Sequence, residues 1–203
     1  LRDRGSPKIP VAILLLFTVL GSALVFLPVP TFASTIYMSP GCGATITKPS
    51  GTVIVLTKNI GPCSGNGLII GHNGITLNCN GHTITGTSAN IYAGIYLSGK
   101  TGVAVENCKV TRFRYGIELV SSSSNTLTTN TASGNHYDGF YLLGSSNSNK
   151  LTTNTANSNS HYGYDDTSTG SGTRWTANSY LDDECSGNGA GGSSPSGLGF
   201  PQS

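Results

Sequence analysis

The residues best suited by type to do chemistry cluster in the middle of the chain. His136-Tyr137-Asp138 and His161-Tyr162-Gly163 occupy almost the same place in successive repeats, which would let the two imidazoles approach, with Asp138 and Asp165 close by. Imidazole and carboxylate donors together suit copper or zinc. A repeat copied with its turn residue leaves the same two histidines without any metal. A second set, Tyr96, Glu118, Tyr141 and Asp165, stands two residues after successive glycines, with Arg112 and Arg114 in nearby turns. Tyrosine faces suit sugar rings, carboxylates accept from hydroxyls, and Arg114 could clamp a carboxylate. Glu118 between two tyrosines is also a candidate acid of raised pKa, although an ordinary solvated face carries the same letters. His72 and His82 lie in Gly and Asn turns and read as exposed polar residues. No phosphate loop or nucleophile elbow occurs.

The elements that hold these residues repeat. Gly94, Gly116, Gly139 and Gly163 fall 22, 23 and 24 residues apart, in segments rich in Thr, Asn, Ser and Gly. A period of that length marks a solenoid in which each repeat is one coil of β-structure. Short strands are expected at Leu68–Ile70, Ile75–Cys79, Thr83–Thr85, Gly94–Ser98, Val103–Cys108 and Gly116–Val120. Like residues should then stack into columns about 4.8 Å apart. Val105, Leu127 and Leu151 form one apolar column, Val110, Ala132 and Ala156 another, and Ile95, Ile117, Phe140 and Tyr164 a third. Tyr92, Tyr115, Tyr137 and Tyr162 suggest a column that seals an edge. Asn130 and Asn154 follow Cys108, and Asn135 and Asn159 follow Phe113, which predicts two asparagine ladders at turns. Asp166 breaks the column of Leu97, Leu119 and Leu142. A carboxylate cannot lie in an apolar column without partners, so the solenoid is expected to end near Thr169.

The termini and cysteines bound the rest. Residues 1–33 pair a basic start (Arg2, Arg4, Lys8) with an apolar run from Ile9 to Pro30 and the small residues Thr31-Phe32-Ala33. That is a signal peptide cleaved after Ala33, or, read by its length, a membrane anchor. Residues 34–67 read as an N-terminal cap, 68–169 as the repeats, 170–186 as a C-terminal cap, with Arg174 to Cys185 forming that cap or a last irregular coil, and 187–203 as a disordered tail. Without the leader the 11 basic and 9 acidic residues become 8 of each, so no basic patch points to nucleic acid. Membrane association follows only if the leader stays. Export makes disulfides available: Cys42 with Cys63, and Cys79 with Cys108 in successive coils, leaving Cys185 over. The cysteine spacings match no zinc motif.

The stretch Gly74-Ile-Thr-Leu-Asn-Cys-Asn-Gly-His-Thr-Ile-Thr-Gly86 and the paired phrases Asn125-Thr-Leu-Thr-Thr-Asn-Thr-Ala132 and Asn149-Lys-Leu-Thr-Thr-Asn-Thr-Ala156 resemble the right-handed parallel β-helix repeat superfamily. The Asn-x-Leu-x-x-Asn phrasing is similar to its NosD-like group, named for a periplasmic accessory protein of copper-containing nitrous oxide reductase. The resemblance spans Thr52 to about Thr169. It implies an all-β, single-stranded right-handed parallel β-helix of about five coils with an N-terminal cap. Function follows less directly, because one fold hosts many activities. The preferred reading is a non-enzymatic secreted, periplasmic or cell-surface protein that binds an extracellular glycan, or a protein partner, and needs no cofactor. Its rivals are a polysaccharide lyase or epimerase, and a copper-handling accessory protein using His136, His161 and Asp138. A lyase needs a base and several acids in one groove, and the chain lacks the Asp-rich clusters of pectate lyases.

Overall fold

The computed structural model describes residues 33–88, 92–168, 177–196 and 198. The expected signal or anchor, save Ala33, lies outside the described residues, as do residues 170–176 of the expected C-terminal cap and residues 197 and 199–203 of the expected tail.

Short β-branched runs broken by Gly, Asn and Ser lack helical spacing, and the described residues form strands and no helix. Strands β1 (Thr35–Met38) and β2 (Ala44–Ile46) begin the solenoid. The first full turn is β3 (Val53–Leu56), β4 (Ile60–Cys63) and β5 (Leu68–Ile70), and the second is β6 (Thr76–Asn78), β7 (Thr83–Gly86) and β8 (Ala93–Ser98). The third is β9 (Ala104–Glu106), β10 (Lys109–Thr111) and β11 (Tyr115–Val120), and the fourth β12 (Thr126–Thr128), β13 (Thr131–Ala132) and β14 (Phe140–Gly144). The fifth is β15 (Lys150–Thr152), the bridging residue Thr155 and β16 (Tyr162–Ser168). A further turn follows in β17 (Ser179–Leu181), the bridging residue Glu184 and β18 (Gly191–Ser194). All pairings are parallel, in two seven-stranded sheets and one four-stranded sheet. The chain is a parallel β-helix of about five turns, as the repeats predict. Residues 34–67, expected as a cap, supply β1 to β4 to the same three sheets.

Inside lie the predicted columns. Val105, Leu127 and Leu151 stack, preceded by Ile54 and Leu77 and followed by Tyr180. Ile95, Ile117, Phe140 and Tyr164 do the same, and the last two rings are parallel at 4.8 Å, the spacing of neighbouring strands. Each full turn places several such side chains inside, where a buried Leu or Ile is worth about 1.5–3 kcal/mol. Cys185 is one of them: Glu184 bridges Thr155, so Cys185 follows Ala156 in the column of Ile84, Val110 and Ala132. It is buried and free. The two predicted disulfides, Cys42–Cys63 and Cys79–Cys108, are both formed, at Cα separations of 5.4 and 4.7 Å.

The expected stop near Thr169 is corrected by the partners of Asp166. Its carboxylate does enter the column of Leu97, Leu119 and Leu142, only 3 % exposed. The Tyr180 hydroxyl and Asn178 Nδ2 each donate to Oδ2 at 2.9 Å, and the Ser168 hydroxyl donates to Oδ1 at 2.6 Å. Two of these donors belong to the next turn, so the solenoid goes on through β18, where a disordered tail was expected.

Asparagine ladders hold the corners. Asn130 N and Nδ2 donate to Asn154 Oδ1 at 2.9 and 3.0 Å, and Asn135 treats Asn159 likewise at 2.9 and 3.1 Å. A third ladder, unforeseen from the sequence, runs Asn125–Asn149–Asn178. The left-handed residue at these corners is the one before each ladder asparagine, for instance Thr129 (φ 55°) and Thr153 (φ 56°), rather than the asparagine itself. Between ladder and strand the chain closes tightly: a Cβ on Gly139 would meet Gly163 O at 2.6 Å and Ala132 O at 2.7 Å. That contact explains the repeat glycine.

Candidate metal centre

The corner leading into β11, β14 and β16 carries the chemistry. Phe113 and Gly116 are separated by two residues, whereas Asn135 and Gly139, like Asn159 and Gly163, are separated by three. The extra residue shifts the turn columns by one place. Backbone hydrogen bonds from Ser160 N to Asn135 O and from His161 N to Tyr137 O set His161 on Tyr137. The two rings stack at 4.1 Å and 22°. His136 is exposed and stands one position earlier, so the expected pairing of His136 with His161 is not formed. The expected tyrosine column divides too: Tyr92, Arg114, Tyr137 and His161 follow one another in one column, Tyr115, Asp138 and Tyr162 in the next.

The shift puts Asp138 beneath Tyr162 and beside His161. Asp138 Oδ1 accepts from Tyr162 N at 2.8 Å and pairs with His161 Nδ1 at 2.9 Å. Asp165, one strand position beyond Tyr164, completes a group in which one donor atom from each of Asp138, His161 and Asp165 lies within 4.8 Å of the others. Both carboxylates are buried, Asp138 completely and Asp165 to 7 % exposure. Neither is satisfied: Asp138 Oδ2 and Asp165 Oδ1 have no hydrogen-bond partner. Burial pushes the Asp138 carboxyl up to about 6; the Tyr162 N–H and His161 pull it back, and the Asp165 charge adds to the rise. Burial raises Asp165 as well, against the Ser194 hydroxyl and His161.

The tyrosine and acid stripe forms the expected register, with Glu118 opposite Tyr96 and Tyr141 and Tyr141 opposite Asp165. Its geometry suits packing. Tyr141 stacks on Tyr115 at 4.5 Å, Tyr115 meets Tyr137 edge-on at 5.9 Å, and the Arg114 guanidinium lies 5.1 Å from the Tyr115 ring centre and 5.4 Å from that of Tyr137. These rings spend faces on each other and on Arg114 that a sugar would need. Burial raises the Glu118 pKa while Arg114 lowers it. Asp165, expected on the outer face, is covered where β18 pairs with β16.

A donor set of one imidazole and two carboxylates was within reach of the sequence. Counting back from each glycine, instead of matching the phrase His-Tyr, aligns His161 with Tyr137 and Tyr162 with Asp138. Asp165, expected close to these turn residues, does join them, reaching the group from a strand rather than from the turn.

No significant match was found among curated proteins, and none among solved structures. The family model described as periplasmic copper-binding protein (NosD) matches residues 33–188, nearly the whole of the described solenoid. With its repeats, its parallel β-helix and this match over most of its length, the chain belongs to the NosD family.

Proposed function

We propose that this protein handles copper in an oxidising compartment outside the cytoplasm, binding it as Cu(II) at Asp138, His161 and Asp165. The family description supplies the metal, and the two disulfides fit the compartment. The observation that carries the site is the pair of buried carboxylate oxygens, Asp138 Oδ2 and Asp165 Oδ1, left without partners beside an imidazole. Buried acceptors of this kind cost free energy unless a cation or a proton completes them. Nitrogen and oxygen donors with no thiolate or thioether favour the divalent ion over Cu(I). Asp138 and Asp165 would neutralise the charge of the ion, and His161, held by Tyr137 and Tyr162, would supply its nitrogen.

Calorimetry and electron paramagnetic resonance of the purified protein with Cu(II) test this. One site per chain is expected, with nitrogen coupling in the spectrum that His161→Ala removes. Asp138→Asn and Asp165→Asn should each weaken binding at least about tenfold, while His136→Ala leaves it unchanged. Undiminished binding in His161→Ala and Asp165→Asn would assign the metal elsewhere.

A further inference from the structure

The three asparagine ladders do not end alike. Two end on amides of the last turn: Asn178 Nδ2 donates to the Ser146 carbonyl at 2.8 Å and Asn188 Nδ2 to the Ala156 carbonyl at 2.9 Å, each acceptor 32 residues earlier in the chain. The third ladder, Asn130–Asn154, ends on Asp183. In backbone terms Asp183 is a full ladder member. The residue before it, Asp182, is left-handed (φ 54°), as Thr129 and Thr153 are. Its Oδ1 accepts from Asn154 N and Nδ2 at 2.7 and 2.8 Å.

The second terminal atom is where it departs. Asn130 and Asn154 use Nδ2 to donate to the carbonyls of Val105 and Leu127, both at 2.9 Å. Asp183 has Oδ2 in that role, completely buried and without a hydrogen-bond partner. Leu151 follows Val105 and Leu127 in the column, and it lies the same 32 residues before Asp183 as the acceptors of the other two ladder ends do. A carboxylate oxygen turned to a carbonyl oxygen repels it, whereas a carboxyl O–H donates to it.

We propose that Asp183 is a neutral carboxylic acid in the folded protein, its Oδ2–H replacing the missing amide, and that loss of this proton loosens the last turn. The neighbouring titratable groups agree. Asp182 and Glu184 flank it in the chain, Tyr164 of β16, Tyr180 of β17 and Cys185 interact with it, and the Lys150 side chain of β15 is exposed on the outer face. Burial pushes the carboxyl from 3.8 to about 6; the Asn154 donors and the Leu181 backbone oppose this, and Asp182 adds to it. A folded pKa above the unfolded one means that the neutral acid stabilises fully below pH 3.8, and that the contribution is lost as pH rises through about 6.

Thermal unfolding of the wild type and of Asp183→Asn from pH 4.5 to 8 is the test. The variant restores the amide, so it should melt with the wild type at pH 4.5 and roughly 5 °C or more above it at pH 8. A variant that melts with or below the wild type at pH 8, or a wild-type melting temperature that does not fall between pH 5 and 8, overturns the proposal. Infrared difference spectra at pH 5 give a readout independent of stability. A carboxylic acid C=O band present in the wild type and missing from Asp183→Asn is expected, and its absence from the wild type sinks the idea.

Discussion

The imidazole of His161 lies flat over the phenol ring of Tyr137, 4.1 Å away, while its Nδ1 is held by Asp138 at 2.9 Å. One contact sets the plane of the ring and the other its rotation within that plane. Tyr137→Ala removes the first and keeps the second. Cu(II) affinity should then fall by about tenfold, less than in His161→Ala, as expected for a positioning residue. Calorimetry on both variants checks the order; equal losses would make Tyr137 a ligand-grade contributor and contradict this geometry.

In the proposed site a metal would compete with a proton at Asp138, whose carboxyl burial raises to about 6. Copper takes the ionised form, so apparent affinity should climb between pH 5 and 7 and level off above. Asp138→Asn should flatten that climb as well as lower the affinity. Titrations at three pH values decide it, and a wild-type affinity independent of pH would exclude Asp138 as a ligand.

The ladder amide of Asn130 gives two hydrogen bonds and accepts one from Cys108 N at 3.0 Å, all buried. Asn130→Ala leaves those partners unpaired and should cost about 1–3 kcal/mol in urea unfolding. An unchanged midpoint would mean that the corner is solvated.

Gly139→Ala forces a methyl group against two carbonyl oxygens, Gly163 O and Ala132 O, that belong to rigid backbone. A loss of about 1–3 kcal/mol is expected. Gly41→Ala is the control, since nothing lies within 4 Å of the added carbon. A similar loss in both would point to chain entropy or local strain rather than coil packing.

The apolar columns were legible because alternation within a strand and a repeat near one coil in length leave little freedom: Val105, Leu127 and Leu151 can only stack. The same logic found both disulfides. It failed where a side chain is rescued from outside its own repeat. Asp166 looked like a terminator because Asn178 and Tyr180, which satisfy it, lie in a stretch with no repeated phrase. The third ladder was missed although Asn125 and Asn149 open the two phrases that carried the family resemblance. The metal candidates were half right: His161 and Asp138 meet, but His136 was matched by its letter, and only a count from the glycine shows that its corner holds one residue more than the corner before it.

That extra residue separates two kinds of inheritance in this fold. The ladders and columns count strands, and they tolerate no slip, since a slip turns every side chain over. The corner between Asn135 and Gly139 is bounded by those fixed points yet can lengthen on its own. A single inserted codon there brings a new row of side chains beneath the next coil without disturbing the core. In a duplicated chain whose coils begin as copies, corner length is thus a dial by which one turn can acquire chemistry that its siblings lack.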